Sequence, residues 1–163
     1  MGIFIGSTPN IQNDDLILAK GLLDKSKDIS NERIILERIL QKLLSNKNIL
    51  ILNRGRDVLY IALKALGIKK NDSVLIQAFT CIAVPTPIIW LGSKPKYIDI
   101  DPKSFNMDLE CLKRSISDKT RAIIAQHTFG NVQDVKRIKE IVDKENSKRE
   151  LKDKIYIIED CAH

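Results

Sequence analysis

Two short stretches bring together residue types that could do chemistry. The first is Asn53-Arg54-Gly55-Arg56-Asp57, between the apolar run Ile49–Leu52 and a segment of helical period that begins near Arg56. A glycine at a strand-to-helix turn lets backbone N–H groups point at an anion, and the helix N-terminus adds partial positive charge, so a phosphate suits such a turn. A single glycine also serves plain turns, and the nucleotide-binding patterns G-x-G-x-x-G and G-x-x-x-x-G-K are both absent. The second stretch is Ile158-Glu159-Asp160-Cys161-Ala162-His163. An aspartate directly after a buried strand holds its carboxylate in a low-dielectric cleft, where it pairs strongly with a cation. The alternative is an aspartate that only caps the next element. Asp99 and Asp101 also follow a strand-like run, but Pro102 marks a turn there, and a turn role suits them better.

Other chemistries find little support. The 3 cysteines, Cys81, Cys111 and Cys161, stand far apart with no C-x-x-C pair and only His127 and His163 to help, which argues against a zinc site and a disulfide framework. No metal is expected, and a reducing cytoplasm is the expected location. The net charge of +6 comes from 27 Lys+Arg against 21 Asp+Glu, interleaved in segments such as Lys136–Glu150. Interleaved charges describe solvated helix faces, whereas nucleic-acid binding gathers basic residues on one surface. Neither a signal peptide nor a run of about 18 apolar residues is present, so no membrane partner is expected.

These residues need a scaffold, and 163 residues that are 44% hydrophobic supply enough apolar material for one ordinary domain. Strand-like runs at Ile49–Leu52, Val74–Ala78, Lys96–Ile98, Ala122–Ala125 and Ile155–Ile158 alternate with segments of helical period. Their continuous Ile/Val/Leu character suits strands covered on both faces, as in a parallel sheet with helical crossovers. Helices are predicted over Arg56–Leu66, stopped by Gly67, over Asp108–Ile116, capped by Asp108, and around Val135, Ile138, Ile141 and Val142. An earlier helix, capped by Ser30, is predicted to bury Ile35, Leu36, Ile39, Leu40, Leu43 and Leu44 against the sheet. The chain stops at His163, directly after a strand, where an α/β protein places functional residues.

Taken in order, GRDVLYIALKALGIKKNDSVLIQAFTCIAVPTPIIWLGSKPKYIDIDPKSFNMD, KTRAIIAQHTFGN and IYIIEDCAH closely resemble the successive blocks of the DegT/DnrJ/EryC1/StrS aminotransferases. The likeness covers roughly 30–163, with a weaker echo around Asp15–Leu23. It implies the large domain of a type I pyridoxal-phosphate (PLP) transferase: an α/β fold, a mostly parallel sheet with flanking helices, incomplete at the C-terminus. Residues 1–29 would be an N-terminal segment, and 30–163 the N-terminal part of the PLP-binding domain. The implied activity moves an amino group from an amino acid, usually glutamate, to a keto-sugar carried on a nucleotide. Such an enzyme would be a cytoplasmic homodimer with sites at the interface, serving surface polysaccharide.

Residue by residue, the resemblance gives Gly55, Arg56 and Asp57 the PLP phosphate. Many relatives have a small hydroxyl residue where Arg56 stands. Asp160 matches the aspartate that pairs with the pyridine nitrogen, and His163 falls where relatives carry His or Gln near the phenolic oxygen. Ala162 would lie against one face of the ring. On the other face many relatives stack an aromatic residue, but this chain has Cys81, leaving the thiol or Phe79 to pack there. His127 matches a histidine near the cofactor, with a local hydrogen-bonding role as the alternative. The family's cofactor-anchoring lysine lies beyond the block that matches EDCAH, so the chain alone is not expected to turn over, and its sheet is expected to have a gap or an open edge. The rival readings are a truncated or split product without activity of its own, and a small flavodoxin-like binding domain.

Overall fold

A computed structural model describes residues 13–23 and 30–162. The chain divides into two compact units, Met1–Ile51 and Leu52–His163. In the first, helix α1 (Asn13–Leu23) begins with Asp14 and Asp15 and has Lys20 in its last turn, charges that suit the helix dipole. Helix α2 (Ser30–Leu43) follows, with an Arg33–Glu37 ion pair at 3.1 Å along its surface. The expected buried side of α2 is not buried: Ile35, Leu36, Ile39, Leu43 and Leu44 are all exposed. An apolar stripe states a need for a partner surface without supplying one.

The second unit runs α3 (Gly55–Ala65), β1 (Ser73–Gln77), α4 (Pro85–Trp90), β2 (Lys94–Ile98), α5 (Leu109–Ser115), β3 (Thr120–Gln126), α6 (Val135–Asn146) and β4 (Tyr156–Asp160). All four strands are parallel, in the order β2-β1-β3-β4. Side chains alternate across the sheet. Val74 and Ile76 of β1, with Ala122 and Ile124 of β3, pack on Leu59 and Leu63 of α3 and Ile88 of α4. Leu75, Ile123 and Ala125 point the other way, onto Leu112 of α5 and Ile138 and Val142 of α6. The result is a three-layer α/β unit in which both faces of the central strands are covered, as their continuous apolar character requires.

Helix ends follow their local chemistry. Gly67, at φ +77°, closes α3: its amide donates to the Lys64 carbonyl and that of Ile68 to Leu63, the two bonds of a Schellman cap. Asp108 accepts from the Cys111 amide at 2.6 Å to cap α5, and Asp134 accepts from Arg137 at 3.0 Å to cap α6. At the amino end of the sheet Arg121 pairs with Asp153 at 2.6 Å, while Arg149 donates to the Thr120 carbonyl at 3.1 Å.

The run Ile49–Leu52 is not a strand. A strand exists through its ladder, and these residues have no strand partner among those described. Strand β4 is an edge of the sheet, with Tyr156 exposed and Ile157 and Ile158 half-buried. Helix α4 was not legible in the sequence: it has six residues and two prolines, Pro85 in its first turn where a missing N–H costs nothing. No helix among the described residues is long and apolar enough to cross a membrane.

Candidate cofactor cleft

The carboxyl ends of the parallel strands and the start of α3 enclose a cleft of about 630 Å³. Gly55, Arg56, Cys81, Gln126, Asp160 and Ala162 line it. Five of the eight residues singled out in the sequence thus share one cavity. Asp57, His127 and His163 are not among its lining residues, and His163 lies outside the described residues.

At one end stands the N-terminus of α3. No side chain caps this helix, so its first amides are left for a ligand or solvent. Gly55 is not in the left-handed region, and a Cβ built on it meets no atom within 4 Å. Neither backbone conformation nor packing asks for glycine here, and its effect is to keep the helix mouth open. Arg56 is exposed and lines the same end. Asp57 does not line the cleft; its carboxylate accepts from Nε of Arg54, a lining residue, at 2.9 Å, an exposed pair that offsets part of the local positive charge.

At the other end Asp160 closes β4. Its Oδ1 accepts from the Ala162 amide at 3.1 Å. Its carbonyl accepts from the His127 amide at 3.2 Å. The side chain is only half-buried, so the carboxylate reaches the cleft with Oδ2 making no hydrogen bond among the described residues. Cys81, exposed between β1 and α4, contributes to the wall, and Ala162 leaves space beside Asp160.

Gln126 is a lining residue that the sequence reading missed. It is 2% exposed at the end of β3, and its Oε1 accepts from the Thr80 hydroxyl at 2.5 Å. The signal was present as a lone amide closing the apolar run AIIAQ.

His127 sits behind the end of β4 with a hydrogen-bonding role. Its Nδ1 accepts from the Gln133 amide at 3.1 Å, which places the proton of the neutral ring on Nε2, 3.5 Å from Glu159 Oε2. Ligand atoms of His127, Glu159 and Cys161 lie within 4.8 Å of one another and form a possible metal-binding group. A metal on Nε2 would force a proton onto Nδ1, directly against the Gln133 N–H. The Gln133 hydrogen bond to Nδ1 therefore disfavours the trio as a ligand set.

The DegT/DnrJ/EryC1/StrS aminotransferase family model matches residues 18–163. The chain is 31% identical to the GDP-perosamine synthase of Vibrio cholerae over 119 residues, which is 73% of this chain and 30% of that protein. It is 36% identical to the UDP-2-acetamido-2-deoxy-3-oxo-D-glucuronate aminotransferase of Pseudomonas aeruginosa over 108 residues, 66% of this chain and 28% of that protein. Among solved structures, the PLP form of the sugar aminotransferase Spr1654 from Streptococcus pneumoniae superposes with a TM-score of 0.78 at 26% identity, over 95% of this chain and 42% of that one. AtS13 from Actinomadura melliaura gives 0.72 at 34% identity, over 78% of this chain and 34% of that one. The chain thus spans less than a third of the length of these two curated relatives.

Proposed function

As the chain belongs to the DegT/DnrJ/EryC1/StrS aminotransferase family, we propose that it forms part of the PLP-binding domain of an enzyme that aminates a nucleotide-linked keto-sugar, with glutamate as the donor. The observation that supports this most directly is the pairing of an open helix N-terminus at Gly55 with the Asp160 carboxylate across one cleft. A phosphate and a protonated ring nitrogen, the two charged ends of PLP, need such a pair of partners. When bound, PLP supplies an electron sink that lets the bond between the donor's α-carbon and its hydrogen break.

In this proposal the Gly55 and Arg56 amides and the Arg56 guanidinium hold the phosphate, and Asp57 pairs with Arg54 at the same mouth. Asp160 holds the proton on the pyridine nitrogen through Oδ2. Each pK unit by which it does so is worth about 1.4 kcal/mol. The Ala162 amide fixes the carboxylate's orientation through Oδ1, and the Ala162 methyl leaves room for one face of the ring. Cys81 packs on the other face as a polarizable surface. His127 acts on the backbone of Asp160, and His163 would reach the phenolic oxygen. We further propose a cytoplasmic homodimer with sites at its interface, serving surface polysaccharide, and a domain arrangement in which 1–29 precedes the cofactor-binding part at 30–163.

One observation favours a second reading, a chain without turnover of its own: among the described residues, no lysine lines the cleft. Titration of the purified chain with PLP and with pyridoxal tests the assignment. PLP is expected to bind at least tenfold more tightly than pyridoxal, Gly55→Val to abolish that difference by filling the helix mouth, and Asp160→Asn to weaken both ligands. Equal affinity for the two ligands, or unaltered binding by both variants, would reject it.

A further inference from the structure

The connections that leave β2 and β3 enclose, with the first turns of α5 and α6, a second cavity of about 350 Å³. It shares no lining residue with the cofactor cleft. Four carboxylates line it, Asp101, Asp108 and Glu110 from one connection and Asp134 from the other, against one guanidinium, Arg137. Asp101, Asp108 and Asp134 accept the backbone amides of Lys103 at 2.9 Å, Cys111 at 2.6 Å and Arg137 at 3.0 Å. None of these three forms an ion pair among the described residues, while Glu110 pairs with Lys113 at 2.6 Å. The cavity therefore keeps an excess of negative charge.

Aspartates that cap turns and helices are ordinary, but Gln133 beside them is not. It is 4% exposed and lines the cavity, and its Oε1, closed to solvent, accepts no hydrogen bond among the described residues. Its backbone is held on both sides, the amide donating to His127 Nδ1 at 3.1 Å and the carbonyl accepting from the Val135 amide at 2.7 Å. A buried acceptor without a donor has lost its hydration for no return, and such groups are rare. The terminal torsion of glutamine is soft, so a small rotation of the carboxamide presents Oε1 to a donor in the cavity.

We propose that this cavity binds a short aliphatic diamine, one ammonium donating to Gln133 Oε1 while Asp134 and Asp101 supply the opposite charge. A donor is what the amide lacks, and a cation is what the carboxylates attract. Among the described residues the carboxylates here form no group close enough to share a metal ion, so the charge they suit is spread along a chain. Met107, Leu109 and Val132 share the lining, and methylenes between two ammonium groups pack on such walls as a lysine stem does. The volume lies at the small end of ligand sites, which fits a ligand of this size.

Calorimetric titration of the full 163-residue chain with putrescine, at fixed ionic strength, tests the assignment. One saturable site is expected, at least tenfold tighter than for butylamine and with no binding of the corresponding diol. Gln133→Leu, which removes the acceptor at similar volume, and Asp134→Asn, which keeps a capping side chain on α6, should each weaken binding at least fivefold. Should Gln133→Leu fail to give a cooperative melt, Asp134→Asn decides alone. Equal affinity for butylamine and putrescine, equal binding by the variants, or displacement by equimolar magnesium would reveal plain counter-ion attraction and overturn the proposal. So would the absence of saturable binding, whether or not Gln133→Leu raises the melting temperature. A lysine-rich peptide that binds where putrescine does not would overturn it too, by giving the cavity to a protein side chain.

Discussion

Phe129 offers a test in which two opposing effects can be weighed. At φ 55° its backbone costs about 1–2 kcal/mol that glycine would not, while glycine's greater unfolded-state freedom returns about 0.5–1 kcal/mol of that. Removing the ring forfeits edge contacts with Phe79 and Phe105, worth about 0.5 kcal/mol each at an exposed site. The ring is 65% exposed, so only a third of its burial is lost, about 0.5–1 kcal/mol of the 1.5–3 for a whole phenylalanine. Phe129→Gly should then cost about 1 kcal/mol. Phe129→Ala loses the same contacts and keeps the strain, and should cost about 2 kcal/mol, reversing the usual order in which alanine is the more stable replacement. Urea denaturation followed through Trp90, the chain's 1 tryptophan, reads the difference. If the alanine variant proves as stable as the glycine variant or more so, the left-handed backbone at 129 is not what sets the balance.

Three further outcomes are expected. Asp108→Ala should destabilise by about 1 kcal/mol at neutral pH through loss of the α5 cap. The hydrogen bond from the Cys111 amide, the largest cause, holds the Asp108 carboxyl below its ordinary value of 3.8. The cap's contribution is therefore full above 3.8 and lost as pH falls through the folded value, so the gap between parent and variant in acid unfolding should close below 3.8. Sedimentation should show concentration-dependent self-association through the β4 edge, reduced by Tyr156→Lys; a monomer at all concentrations would refute this. Borohydride reduction of the chain with PLP, followed by peptide mapping, should find no single preferred lysine, because none lines the cleft among the described residues.

Most of the α/β unit could be read from the sequence because its information is local. Val74–Ala78 and Ala122–Ala125 are apolar without a break, as doubly covered strands must be, and Gly67 and Asp108 end and begin helices by their own chemistry. Ile49–Leu52 has the same composition but no ladder, since pairing depends on residues elsewhere. The exposed apolar side of α2 makes the same point for helices. At the site, Gly55 and Asp160 stand out at the junctions between elements, whereas Gln126 is hidden inside a strand-like run and its role appears only once Thr80 lies 2.5 Å away. Asp57 and His127 show the converse: adjacency in sequence to a lining residue does not itself place a side chain in the cleft. The meeting of Phe79, Phe105 and Phe129 was illegible because they follow three different strands and two of them adopt a backbone that phenylalanine rarely takes.

The parallel order of the strands has a practical consequence for labelling. Cys81 and Cys161 are exposed and both line the cleft, so a thiol-directed probe would land where the cofactor is proposed to sit. Lys119 precedes β3 at the opposite end, exposed beside the Arg121 and Arg149 ties, and Gln126 closes the same strand at the cleft. The 7 residues of β3 span about 20 Å. A fluorophore or surface tether on the Lys119 amine would thus stand one strand length from the cleft, close enough for energy transfer to a bound chromophore and too far to obstruct its entry.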